Sequence, residues 1–95
     1  MKYYRFVTEQ HMQEIDTGAM TAYYEVNSDN VFSRSMEVYQ NGQSLSYDVD
    51  HTADDYGIMP DQDFDLEAAK EFGELTEISA QDFESVWSTI EPINR

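Results

Sequence analysis

The chain has 95 residues, the length of one domain, and it lacks cysteine, which excludes a disulfide framework and a thiolate metal site. Twenty acidic residues against five basic ones give a formal net charge of −15. Such a field repels nucleic acid and anionic membranes and attracts basic proteins and cations. Seven Tyr, five Phe and one Trp supply enough large side chains for a core, so we expect one folded domain spanning residues 1–95.

The charge is unevenly distributed along the chain. Residues 1–47 hold six acids and three bases, a net of −3, whereas residues 48–91 hold fourteen acids and one base, a net of −13. Net charge serves solubility in many proteins, and that interpretation stays open beside a role in binding. The opening residues lack the apolar run of a signal peptide, and no stretch approaches the length of a membrane span. We therefore expect a cytoplasmic protein with no membrane partner.

Aromatic and β-branched residues predict two strands in the first third of the chain, at residues 2–7 and 20–26. The next element is a hairpin over residues 31–49. Its Asn41-Gly42 pair is typical of a two-residue type I′ turn. That turn would place Val38 opposite Leu45 and Met36 opposite Tyr47 on a core face, and it would leave Glu37 and Tyr39 on a solvent face.

The second half combines a loop, two helices and a short extended segment. Residues 50–65 are rich in Asp and predict a loop, residues 66–72 predict a short helix that ends at Gly73, and residues 74–78 predict an extended segment. Ser79 is typical of a helix N-cap, and the spacing of the apolar residues after it predicts a buried stripe centred on Trp87. The pattern predicts an α+β fold, with an antiparallel sheet of about four strands packed on one face by a C-terminal helix and a shorter helix.

Motifs for catalysis and cofactors fit poorly. Residues 61–65 open like a calcium-binding EF-hand loop, but Leu66 stands where the loop requires glycine and Phe72 where it requires a bidentate glutamate. The two histidines, His11 and His51, lack the spacing of a zinc site, and no nucleophile elbow or glycine-rich phosphate loop occurs. We therefore predict no metal, no cofactor and no enzymatic activity.

Four segments together resemble a family of small, uncharacterised acidic bacterial domains of the toxin-immunity type. They are the opening Lys2-Tyr3-Tyr4-Arg5-Phe6-Val7, the hairpin with Arg34-x-Met36-Glu37-Val38-Tyr39-Gln40-Asn41-Gly42, the Asp-rich middle, and the close Glu77-Ile78-Ser79-x-x-x-Phe83-x-x-Val86-Trp87. The resemblance covers most of the chain, which departs from the family with Met36 in place of a β-branched residue and with a longer polar segment near residues 9–18. The resemblance implies a compact domain of unknown function, of a type that looks like the immunity proteins of secreted bacterial toxins.

These observations lead to one main functional expectation and two alternatives. The main one is an immunity or antitoxin protein, a monomer or weak dimer that binds the basic active-site surface of a cognate toxin domain and not nucleic acid. The alternatives are a phage-type acidic mimic of nucleic acid that occupies a defence enzyme, and a small enzyme. The predicted partner-binding residues are the acids and tyrosines around the hairpin and the loop after it: Glu37, Tyr39, Tyr47, Asp48, Asp50, Asp54 and Asp55.

Overall fold

A computed structural model of the protein describes residues 1–8, 20–60 and 63–95. In chain order its elements are β1 (Lys2–Thr8), β2 (Met20–Val26), β3 (Phe32–Tyr39), β4 (Ser44–Asp48), α1 (Leu66–Phe72), β5 (Glu74–Ile78) and α2 (Ala80–Thr89). The strands form one antiparallel sheet in the order β4-β3-β2-β1-β5. The predicted α+β class is confirmed. The described sheet has five strands because residues 74–78 pair with β1.

The hairpin between β3 and β4 differs from its prediction by one residue in register. Val38 lies opposite Ser44 and Met36 opposite Ser46. The reason is a three-residue loop: the Gly42 amide donates to the Tyr39 carbonyl at 3.0 Å, and Gly42 alone has a positive φ, of 91°. This geometry is a type I turn followed by a left-handed glycine, rather than the type I′ turn that Asn-Gly usually indicates.

The shifted register changes which side chains share a face. Tyr47 lies on the same face as Ser35, Glu37 and Tyr39, opposite to the face of Met36. We call it the loop-covered face, because the chain after β4 packs on it. Met59 and Phe64 from that segment join a core cluster that the strands supply through Tyr4, Val26, Phe32, Leu45 and Tyr47. Ring stacking of Phe64 on Tyr4, with centroids 4.6 Å apart, fixes the segment in place.

Helix α2 covers the other face of the sheet, which we call the helix-covered face. Phe83 is fully buried there, 5.2 Å from the ring of Tyr3. The guanidinium of Arg34 lies between helix and sheet, 4.8 Å from the Phe83 ring and 4.9 Å from the Trp87 ring. Trp87 is half-buried, so the prediction that it forms the centre of this contact is wrong. The indole packs against Phe83 and against the guanidinium groups of Arg34 and Arg95, which leave part of it in solvent.

The caps of both helices follow the sequence. The Asp65 carboxylate accepts from the amides of Glu67 and Ala68, each at 3.1 Å, and starts α1. The Ser79 hydroxyl accepts from the Asp82 amide at 3.0 Å and starts α2. Each cap satisfies amide donors that the first helical turn leaves unpaired. Neither helix in the described part of the chain has the length and apolar character needed to cross a bilayer.

Residues 93–95 lie along β4, which is an edge strand of the sheet. The Ile93 amide donates to the Ser44 carbonyl at 2.9 Å, and the Asn94 side chain both accepts from the Ser46 amide at 3.1 Å and donates to the Ser46 carbonyl at 2.8 Å. An uncovered edge presents unpaired backbone groups on which other strands can add. The contacts of residues 93–95 therefore close this edge and position Asn94 beside the loop that follows β4.

Candidate partner-binding surface

The loop that follows β4 is built from two consecutive turns. The first reverses the chain at Val49 and Asp50, where Asp48 and His51 exchange backbone hydrogen bonds of 3.0 and 3.2 Å. The second spans residues 53–58, which an isolated bridge between Ala53 and Ile58 closes. Beyond it the Met59 amide donates to the Thr52 carbonyl at 2.8 Å. We call residues 48–59 the Asp54 loop.

The Asp54 carboxylate joins these turns to the rest of the fold. Oδ1 accepts from the Tyr47 hydroxyl at 3.0 Å and from the amides of Tyr56 at 2.9 Å and Gly57 at 3.2 Å. Oδ2 accepts from His51 Nε2 at 2.7 Å and from Asn94 Nδ2 at 2.9 Å. Burial alone would raise the pKa of Asp54, but the hydrogen bonds from His51, Asn94, the Tyr56 amide and Tyr47 hold that pKa well below its usual range.

The Asp54 loop carries exposed apolar residues among acids. Val49 is 70% exposed, and Tyr56 and Ile58 are each 58% exposed. Asp50 and Asp55 are exposed at the tips of the two turns. Isolated apolar side chains on a surface are ordinary, but several on neighbouring turns with an acidic rim are typical of a protein-binding site.

Tyr47 does not fit its predicted role as a contact residue. It is 1% exposed, and its hydroxyl donates a hydrogen bond to Asp54 from within the fold. Burial raises the pKa of the Tyr47 hydroxyl, and the bond to Asp54 raises it further. The prediction that Tyr47 anchors a partner is therefore corrected, because the side chain belongs to the core. The predicted hairpin register had already placed Tyr47 on a core face, and the structure buries it on the opposite face from the one predicted.

Glu37 and Tyr39 lie on the loop-covered face and are half-buried. The Tyr39 hydroxyl donates to a Glu37 carboxylate oxygen at 2.5 Å, and the Tyr39 ring packs against the core cluster. Burial and this bond to Glu37 raise the pKa of the Tyr39 hydroxyl. Both side chains are partly exposed, but in the free protein they are hydrogen-bonded to each other.

Asp48 pairs within the fold on the opposite face of β4. Its carboxylate accepts from Arg95 at 3.0 Å and from the Asp50 amide at 2.9 Å. Burial opposes ionisation of this group, but these two interactions outweigh it and lower the Asp48 pKa. Asp48 thus holds the first turn of the Asp54 loop and the segment over β4, so it acts as a structural residue in the free protein.

A second group of charged residues lies between α2 and the sheet, and its members pair with one another. Arg34 donates to Glu25 at 3.0 Å through Nε and at 2.5 Å through Nη2, and it pairs with Glu84 on α2. The bond to Arg34 lowers the pKa of Glu25, and the pKa of Arg34 rises in return, with the bond to Glu25 as its main cause. This cluster fastens α2 to the sheet.

Metal binding gains no support from the described residues. Within residues 1–8, 20–60 and 63–95, no group of three His, Asp or Glu side chains is arranged to hold a metal ion. Residues 61 and 62 of the broken EF-hand pattern, and His11, lie outside the described residues. Asp65 from that pattern caps α1, and His51 pairs with Asp54.

Of the predicted site residues, the structure leaves only Asp50 and Asp55 as exposed acids of the Asp54 loop. Sequence reasoning missed Val49, Tyr56 and Ile58, because periodicity says nothing about which way a side chain points in an irregular loop. One signal was present: Val49 and Tyr56 stand next to acids, and Ile58 follows two residues later, in a segment that has no strand or helix pattern. Such residues either anchor the loop in the core, as Met59 does, or are exposed and can contact a partner.

Comparison with protein-family models, curated proteins and solved structures finds no match for this chain. The resemblance to toxin-immunity domains therefore stays a prediction from the residues that carry it.

Proposed function

We propose that this protein is an immunity-type inhibitor that binds the basic active-site surface of a bacterial toxin domain in the cytoplasm. The observation that carries the proposal is how the fold distributes its charge. Residues 48–91 have a net charge of −13, from fourteen acids and one base, and most of these acids are exposed. Two of the five basic residues, Arg34 and Arg95, are engaged in ion pairs with Glu25, Glu84 and Asp48.

This distribution favours binding of a cationic protein for two reasons. Long-range attraction to an acidic surface accelerates association, and complementary charge suppresses wrong partners. A toxin that acts on nucleic acid carries a cationic cleft, which an acidic protein can occupy. The protein would inhibit by covering that cleft, and no chemical step is required of it.

The test is recovery of the partner from the native host, followed by an assay of the purified pair. We expect a basic protein whose toxic activity is abolished at one equivalent of this chain, with an association rate that falls as salt is added. Recovery of a nucleic-acid-binding defence enzyme instead would support the alternative that this chain is a phage-type mimic of nucleic acid. A partner without a basic surface, or an association rate insensitive to salt, would contradict both readings of the charge.

A further inference from the structure

The Asp54 loop exposes apolar surface that the described part of the fold does not cover. Val49, Tyr56 and Ile58 are among the most exposed large apolar side chains of the described residues, and all three lie within ten residues of one another. Burial of such side chains against a partner would remove their apolar area from water, which favours association. The two turns that carry them are joined by the contact of 2.7 Å between His51 and Asp54.

The loop is held in one shape before any partner arrives. Five hydrogen bonds converge on Asp54, three of them from side chains. Met59, which is 7% exposed, anchors the end of the loop in the core. A surface already fixed in its binding conformation loses little conformational entropy on association, so more of its contact energy appears as affinity.

The charge around the apolar residues selects the chemistry of the occupant. Asp50 and Asp55 are exposed beside Val49 and Tyr56, at the tips of the two turns. A neutral apolar partner would leave these carboxylates without compensation, and a second copy of this chain would bring a further charge of −15 against them. Flanking Lys or Arg side chains would pair with the carboxylates, and they would also interact favourably with the Tyr56 ring.

We propose that Val49, Tyr56 and Ile58 form the contact core of the partner-binding surface, and that the segment they bind is an apolar side chain flanked by Lys or Arg. This proposal rests on the proposed function, since it names the part of the basic partner that this chain recognises. Tyr56 is the central anchor, because aromatic side chains surrounded by less important contacts dominate the energetics of most interfaces.

Two synthetic peptides of equal positive charge test the proposal against ¹⁵N-labelled protein by NMR titration. One carries a Leu-Trp pair between Lys and Arg residues, and the other carries Gly-Ser in its place. We expect the apolar peptide to bind more tightly and to shift the amides of residues 48–59. Tyr56→Ala should raise its Kd about tenfold, the size of a single hot-spot residue. The matched control is Val31→Ala, which removes an apolar side chain that is 43% exposed elsewhere and should leave the Kd unchanged.

Each other outcome overturns the proposal in a distinguishable way. Equal binding of the two peptides, or shifts centred on the acids of α1, would show cationic recognition without an apolar core and would leave the proposed function standing. Absence of binding by either peptide would reject this recognition chemistry, and recovery of the partner would then decide the function separately. A concentration-dependent dimer in sedimentation that Tyr56→Ala disrupts would assign the surface to a second copy of this chain.

Discussion

Asp54 differs from the other acids of its loop because all of its acceptor capacity is used inside the fold. Its two oxygens receive five hydrogen bonds, from Tyr47, His51, Asn94 and two backbone amides. From sequence it is one of fourteen acids in an acidic half and cannot be told from its neighbour Asp55. The donors come from β4, from the loop itself and from residue 94, and no spacing rule connects positions 40 residues apart. A single-residue role of this kind is therefore visible only in the folded chain.

Replacement of Asp54 by Asn should lower the melting temperature far more than replacement of Asp55 by Asn. The new amide places a donor where Oδ2 accepts from His51 and Asn94. Asn94 cannot flip in response, because its own oxygen accepts from the Ser46 amide. Circular dichroism melts at pH 7 of the two variants provide the measurement, and equal melting temperatures would contradict a structural role for Asp54.

The same variant should reveal a pH dependence of defined sign. The pKa of Asp54 is lower in the folded state than its ordinary value of about 3.9, so its stabilising effect is complete above that value and is lost as the pH falls towards the folded pKa. The difference in melting temperature between wild type and Asp54→Asn should therefore narrow as the pH is lowered from 5 to 3. A difference that widens on acidification would refute this assignment.

Elements were predicted better than their packing. Strands 2–8 and 20–26, the hairpin, the helix over 66–72 and the Ser79 cap all follow local patterns, which act within a few residues of sequence. The register of the hairpin was wrong, because Asn41-Gly42 fits two turn types and the sequence does not choose between them. A shift of one residue moves every side chain of a strand to the other face, so Tyr47 shares a face with Glu37 and Tyr39 and not, as predicted, with Met36.

Gly42 and Gly73 are required for different reasons, the first for its backbone conformation and the second for lack of space. A Cβ at Gly42 would meet nothing within 4 Å, so Gly42→Ala should destabilise only through its backbone φ of 91°, by about 1–2 kcal/mol. Gly42→Asn should cost less, because Asn tolerates this region. Gly73 has an extended φ of 179°, but a Cβ there would lie 2.5 Å from the Val7 carbonyl oxygen and 2.8 Å from the Phe6 ring.

We therefore expect Gly73→Ala to destabilise by about 1–3 kcal/mol through overpacking, and we expect Asn at position 73 to be worse than Ala. Urea unfolding of the four variants measures these free energies. The informative comparison is the order of Ala and Asn, which should invert between the two positions. The same order at both would mean that the turn at Gly42 is not set by its left-handed conformation.

At the scale of the whole molecule, attraction and repulsion between charges are separated in space. The described ion pairs join separate parts of the fold: Arg34 joins the sheet to α2, and Arg95 joins residues 93–95 to β4. Most of the described acids outside these pairs are exposed, and they contribute most of the negative charge of the described residues. Ion pairs therefore stabilise contacts between parts of the fold, whereas the acids on the surface repel one another. Composition predicted the repulsive exterior, but only the structure shows where the few bases are placed.

Added NaCl should therefore raise the melting temperature at pH 7. The Debye length falls from about 30 Å at 0.01 M to about 8 Å at 0.15 M, which screens repulsion among exposed acids, whereas the partly buried pair of Arg34 with Glu25 is screened less. Calorimetry in this salt range measures the slope. The double variant Glu71→Gln/Glu77→Gln removes two exposed negative charges and should flatten the slope, and Lys2→Gln, which makes the net charge more negative, should steepen it. A melting temperature that falls with salt would mean that the ion pairs within the fold outweigh repulsion between surface acids. The acidic surface would then not destabilise the free protein, and a basic partner would gain nothing by neutralising it.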